Sequence, residues 1–264
     1  MVAQLTPAQR TVADHLAHRQ RELAYASAAQ VARELGVSPS SVVRFAQLLG
    51  YDGWPALQAE LRLQLYASRR LVDLAPESAE FLGQFVSAQS RNLAFLSSQA
   101  EAIEEAADLL ASARVVWLSG DRSSAFIAGY AAHHLRMLRP DVHLLEGGAA
   151  NFSDKLLDAS PRDALWLTSM SRYSRNSVAL ARHLERRVPI ILLTDEATSP
   201  LIPYADTRVL FATESITSLH SDIAAYATAH ALVLAVARQV PGARARLEQA
   251  EALWDEFELF HKED

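Results

Sequence analysis

The sequence predicts a chain of α + α/β class. An all-helical N-terminal module occupies residues 1–75, and a doubly wound five-stranded parallel sheet flanked by helices occupies residues 76–264. Three observations predict it. Apolar residues recur at helical spacing as far as Leu65. From Arg114 onward, short apolar runs appear at Val115–Leu118, Val142–Leu145, Ala164–Leu167, Ile190–Leu193 and Val209–Phe211. Helical patterns near 123–138, 149–158, 175–187 and 199–204 lie between and after these runs, and strands alternating with helices build a parallel sheet covered on both faces.

The first helix is announced by Thr6-Pro7-Ala8-Gln9, a capping residue, a proline at the first helical position and a glutamine at box spacing, with Val12 and Leu16 inward. Ser27 and Gln30 repeat the box. Ser38-Pro39 starts a further helix, and Gly50 suits the residue just past its end. Ala32, Gly36 and Val42 stand at the intervals two crossing helices need. Ala32 is small enough for close approach, Gly36 relieves a turn where φ can be positive, and Val42 packs the second helix on the first. Val31, Leu35, Val37 and Phe45 supply apolar neighbours. This is a helix-turn-helix pattern, and it leaves Ser38, Ser40, Ser41, Arg44 and Gln47 free for a major groove of double-stranded DNA. An ordinary helical hairpin is the competing reading. Trp54, Leu57, Leu61 and Leu65 form a later apolar stripe, and Asp73-Leu-Ala-Pro76 is the expected junction. Residues 70–112 read as helical, with Leu82, Phe85, Phe95 and Leu110 as core candidates. Two alanine-rich helices, 218–239 and 242–260, close the chain.

Half of the 264 residues are hydrophobic and 21% are charged, the composition of a folded protein. No apolar run reaches the ~20 residues of a membrane span, and MVAQLTPAQR holds no signal-peptide core. Without cysteine there is no disulfide, thiolate metal site or cysteine nucleophile. A cytoplasmic location is expected, with no cofactor and no metal. The net charge of -6 divides unevenly: residues 1–75 carry eight arginines, no lysine and six acidic residues, or +2, which leaves -8 on the remainder. Any contact with a phosphate backbone therefore belongs to the first module. So weak a positive charge favours two copies acting together on DNA.

In a doubly wound sheet, ligands gather at the carboxyl ends of the strands. Two loops there are dense in hydroxyls and arginines, Ser119-Gly-Asp-Arg-Ser-Ser124 and Thr168-Ser-Met-Ser-Arg-Tyr-Ser-Arg175. Hydroxyls, guanidinium forks and the free N–H groups of helix starts suit a phosphate or carboxylate. Helix capping and surface ion pairing are the alternative use of the same residues, and for Ser174 alone capping is the better reading.

The chain resembles the RpiR/MurR family of bacterial transcription regulators, in which a helix-turn-helix precedes a SIS (sugar isomerase) domain of Rossmann-like fold. The resemblance rests on Ser38, Ser41, Val42, Arg44, Phe45, Leu49, Gly50, Tyr51, Gly53 and Trp54 in the first module. Over residues 113 to 240 it rests on Ser124, Ala128 and Leu135, on Ser199-Pro-Leu201 with Ala205-Asp206, and on Ser169, Ser171 and Ser174, which fall on the family's phosphosugar loop. It implies a regulator whose DNA binding responds to a sugar phosphate or similar anion. Two departures stand out: Arg122 and Arg172 occupy positions where the family pattern carries glycine. Arginine closes off the backbone but offers a charged fork. The anion is therefore expected to be read by Arg122, Ser123, Ser124, Ser169, Ser171, Arg172, Ser174 and Arg175. It could be a sugar phosphate, another phosphorylated metabolite or an organic acid. A pocket locked by internal ion pairs of Arg122 and Arg172 is a further possibility.

The resemblance also raises a sugar-phosphate isomerase as the alternative activity, for which Glu146, Asp154, Glu214 and His220 are the candidate acids and bases. None has a spacing that singles it out. His133-His134 lies mid-helix, where adjacent residues do not share a face. No catalytic residue is assigned, and the expected assembly is a homodimer or homotetramer on paired operator half-sites.

Overall fold

The computed structural model describes residues 5–23, 26–58, 60–61, 80–217 and 219–261. The chain divides into two compact units, Met1–Leu74 and Ala75–Asp264. The expected junction Asp73–Pro76 and the stripe residue Leu65 lie outside the described residues.

In the first unit, α1 (Pro7–His18), α2 (Gln20–Leu23), α3 (Ala28–Leu35) and α4 (Pro39–Leu48) are followed by helical residues from 54. Thr6 and Ser27 both form complete capping boxes, each accepting from the third helical amide while Gln9 or Gln30 reaches back. Gly36 ends α3 in the left-handed conformation (φ 64°) and Gly50 follows α4 at φ 91°. Val12, Val31, Ala32, Val42, Phe45 and Ala46 form one buried cluster with Trp54, Leu57 and Leu61. Polar pins hold its far side: Trp54 Nε1 donates to the Ala26 carbonyl at 2.9 Å, and Gln58 Nε2 donates to Leu23 and Ala26.

The second unit begins with α5 (Phe81–Phe95) and α6 (Ala100–Ser112), separated by a 3-10 turn, Leu96–Gln99. The sequence predicts helix over 70–112 with Leu82, Phe85, Phe95 and Leu110 inside. Leu110 is buried, whereas Leu82 is 66% exposed and Phe95 38%. The turn at 96–99 breaks the phase of the apolar pattern, and α5 buries Ala88, Gln89 and Asn92 instead. Glutamine and asparagine are poor signals of a buried face.

Five parallel strands follow, β1 (Val116–Gly120), β2 (Val142–Leu145), β3 (Ala164–Thr168), β4 (Ile190–Thr194) and β5 (Thr207–Leu210), in the order β2-β1-β3-β4-β5. α7 (Ser123–Leu138) follows β1, and the short α8 (Ala149–Phe152) with its 3-10 continuation Ser153–Leu156 follows β2. α9 (Arg175–Leu184) follows β3, while α10 (Ile223–Gln239) and α11 (Ala243–Glu256) come after β5. β5 starts two residues earlier than its apolar run suggested, because Thr207 pairs with Ile191. The helix expected at 199–204 is a 3-10 turn of three residues, Ile202–Tyr204.

Strand residues alternate between two cores. Val116, Leu118, Trp166, Ile191 and Leu193 face a cluster built with α6, α7 and α10. Trp117, Leu165, Leu167, Ile190 and Leu192 face Phe152, Leu156 and α9. Both faces are covered, as parallel sheets require. Two arginines brace the edge below. Arg114 grips the fully buried Asp163 carboxylate with two hydrogen bonds of 2.9 Å. The buried Arg139 guanidinium donates to the carbonyls of Leu110, Ala113 and Arg114, so tying the end of α7 to the end of α6.

Candidate functional sites

Part of the polar face expected of α4 is free and part is engaged. Val42, Phe45 and Ala46 point into the core, which leaves Ser40, Arg44 and Gln47, at i, i+4 and i+7, as an exposed stripe. Ser38 is exposed at the N-cap, and its hydroxyl accepts from the Ser41 amide at 3.2 Å. The Ser38 Oγ also lies 2.9 Å from Ser40 Oγ and 2.8 Å from Ser41 Oγ. Ser38 and the half-buried Ser41 are thus engaged in holding the helix start. Among the described residues, Arg44 forms no ion pair with a carboxylate. The turn between α3 and α4 is closed by the Val37 amide, which donates to the Ala32 carbonyl at 2.9 Å.

In the second unit the strand order reverses between β1 and β3, so the crevice of an open α/β sheet falls between their carboxyl ends. The two arginine-bearing loops meet there. Gly120 must be glycine, since a Cβ would stand 2.4 Å from the Ser124 carbonyl oxygen. That close approach sets the first turn of α7 against the end of β1. Arg122 precedes α7 at φ 55°, ψ −126°, and Arg172 sits at φ 70°. Both arginines therefore hold the positive φ that glycine adopts freely and L-residues rarely do. Neither they nor Arg175 form an ion pair among the described residues.

Of the predicted hydroxyls, Ser123 is exposed, Ser124 and Ser169 are buried, and Ser174 caps α9 by accepting from the Asn176 amide at 3.0 Å. The capping use of Ser174 is therefore present. Ser171 donates its amide to Asp195 Oδ1 at 2.9 Å and its hydroxyl to Asp195 Oδ2. Tyr173 donates to the same carboxylate at 3.2 Å, and its phenol is pushed far above its ordinary range, first by burial and then by Asp195. The Ser177 hydroxyl donates to Asp121 at 3.0 Å and so joins α9 to the loop after β1. Asp222 lies just before α10, near Ser123 and His220. Burial raises its pKa, partly opposed by His220 and Ser123.

Sequence reasoning placed Asp121 and Tyr173 in the two loops without a role, and missed Asp195 and Asp222. Isolated acids carry no local pattern, and the last two come from segments remote from both loops. The isomerase candidates fare differently. Glu214 is held by Arg91 at 2.6 Å, which lowers its pKa, and its backbone N–H donates to Asn92. Glu146 and Asp154 are exposed.

The sequence model of the rpiR-family helix-turn-helix domain matches residues 1–68, and that of the SIS domain matches residues 109–236. The chain belongs to the rpiR family. The HTH-type transcriptional regulator YfhH of Escherichia coli (strain K12) is 46% identical over 57 residues, a stretch covering 22% of this chain and 20% of that relative's length. Among solved structures, the SIS domain of this rpiR-family chain is similar to the sugar isomerase domain of an RpiR transcription factor from Sphaerobacter thermophilus. That match has 29% identity and a TM-score of 0.61, and it covers 66% of this chain and 99% of that one. NanR of Vibrio vulnificus, complexed with ManNAc-6P, shares the fold over 99% of this chain and 97% of its own at 16% identity, with a TM-score of 0.68. No single helix among the described residues is long and apolar enough to cross a membrane.

Proposed function

We propose that this rpiR-family chain is a sequence-specific transcription regulator of the bacterial cytoplasm whose affinity for double-stranded operator DNA is set by a small anion. In this reading residues 1–75 bind DNA and residues 76–264 sense the anion and assemble the oligomer. Ser40, Arg44 and Gln47 reach the major groove while Ser38 and Ser41 hold the helix start. The anion lies at the β1/β3 crevice among Arg122, Ser123, Ser124, Ser169, Ser171, Arg172, Ser174 and Arg175.

The observation that carries the sensing half is the pair of arginines at positive φ. Backbone strain of this kind costs about 1–3 kcal/mol per residue and persists where the surroundings impose it, often at ligand sites. Two guanidinium groups on the two loops of one crevice, with no carboxylate paired to either among the described residues, suit a phosphate or carboxylate. A sugar phosphate is the favoured class, since the NanR neighbour is complexed with ManNAc-6P. A second copy belongs to the same reading. Leu82, Val86, Phe126 and Leu234 leave apolar surface on the α/β unit, suited to a homodimer or homotetramer. Catalysis is not part of this reading: Glu214 is committed to Arg91, Glu146 and Asp154 are exposed, and His220 stands by Asp222. A SIS-fold isomerase is the alternative, distinguished by turnover of aldose or ketose phosphates.

Affinity for a retained genomic fragment, measured with and without each of a panel of sugar phosphates, tests the coupling. One member of the panel should change the affinity about 5- to 150-fold, the usual range for linked sites. A flat response across the panel, with turnover of one of its members, would replace the regulator by the isomerase.

A further inference from the structure

A groove lies between α9 and the segment of α8, at the edge of the core that Phe152, Leu156 and Leu180 help to fill. Asn176, Ala179, Leu180 and His183 recur at helical spacing on α9 and, with Arg187 just past its end, form one wall. Phe152, Leu156 and Leu157, from α8 and the residues after it, form the other. The space between them is about 480 Å³, within the ~300–1,000 Å³ range of ordinary ligand pockets.

The walls have a consistent chemistry. The middle is apolar, and Leu157 is 76% exposed, a costly placement for a leucine that touches nothing. Ala179 is also exposed, and its small side chain is what leaves the groove open. One end is basic. Arg187 Nη1 donates to His183 Nε2 at 3.0 Å, and among the described residues no carboxylate pairs with Arg187. Its guanidinium therefore keeps donors to spare, beside an apolar trough with no anion of its own.

We infer that this groove binds an amphipathic carboxylic acid, with the hydrocarbon between Leu157 and Leu180 and the carboxylate on Arg187. The occupant is fixed by charge complementarity: an apolar body fills the trough, and a single anion satisfies Arg187 at its end. The site is distinct from the β1/β3 crevice and does not depend on the reading of that crevice. It touches α9, whose first turn carries Arg175 and the Ser174 cap, so its occupant acts on the same helix.

Calorimetric titration of the full chain with sodium octanoate, beside 1-octanol, tests the inference. Octanoate should bind saturably at one site, and octanol about tenfold more weakly. Arg187→Ala should bring octanoate down to the level of octanol. Ala179→Trp should abolish both, and Ala179→Leu, a milder filling of the same exposed position, should weaken both while the melting temperature is kept. Absence of saturable octanoate binding to the wild type, or unchanged affinity in Arg187→Ala or Ala179→Leu, overturns it. A fall in oligomer mass on filling the groove would overturn it as well, since the occupant would then be another copy of the chain.

Discussion

Ser171 gives both of its hydrogen-bond donors, the backbone N–H and the hydroxyl, to the single carboxylate of Asp195. Tyr173 adds a third donor to that carboxylate. The loop after β3 is thereby closed on an internal anion supplied by the end of β4. A carboxylate that accepts several donors holds them strongly, so an incoming phosphate meets donors that are already engaged and a negative charge beside them.

Asp195→Asn keeps an acceptor for Ser171 but removes the charge. The affinity of the chain for inorganic phosphate, measured by calorimetry, is expected to rise about tenfold, or 1.4 kcal/mol. Unchanged or weaker binding would show that Asp195 orders the loop without competing for its donors.

Arg122→Gly and Arg172→Gly restore the residue that positive φ favours. Each should raise thermal stability by about 1 kcal/mol, the relief of strain outweighing the added freedom of the unfolded chain. Each should also weaken phosphate binding. Gain of stability with loss of binding is the signature of strain kept for function. Denaturant melts and phosphate titrations on the same samples check both halves.

Arg139→Met retains an unbranched stem of similar length but abandons the carbonyls of Leu110, Ala113 and Arg114. Unfolding should become easier by about 3 kcal/mol, because buried acceptors are left without donors. DNA binding by the first unit should survive at temperatures below the new transition.

Asp222 gives a pH dependence of fixed sign. Burial raises its pKa in the folded chain above the unfolded value of 3.8. Its protonated form is thus favoured by folding, and the stability it contributes at low pH is lost as pH rises through the folded pKa. Asp222→Asn should therefore be more stable than the wild type at neutral pH, and this advantage should shrink on acidification through the carboxylate range. Melting curves from about pH 3.5, just below the ordinary Asp value, up to neutrality would show it. An advantage independent of pH would remove Asp222 from the account.

Much of the fold was legible because local rules and global packing agree. Thr6, Ser27 and Ser38 cap where their spacing to Gln9, Gln30 and Ser41 requires, and the apolar runs became strands because both faces of the sheet are buried. The misreadings have physical causes as well. Leu82 and Phe95 look like core, but the turn at 96–99 shifts the helix phase, and α5 buries Asn92 against the backbone of Glu214 instead. At the crevice, the hydroxyls and arginines of the two loops were visible as dense local patterns. Asp195 and Asp222 were not, since only the parallel crossovers bring the ends of β4 and the start of α10 to those loops. Gly120 was visible only as one residue of the Ser119–Ser124 loop, and the geometric reason for it, the Ser124 carbonyl at 2.4 Å from a would-be Cβ, comes from the packing of α7.

The central claim is that this chain reads specific DNA through α4. It is tested most directly by incubating the purified protein with sheared genomic DNA from its source, with and without the sugar-phosphate panel, and sequencing what is retained by wild type and Arg44→Ala. The account predicts a small set of discrete sites, lost or strongly depleted in the variant. Enrichment of no site under any of these conditions, or an identical set from Arg44→Ala, would contradict it.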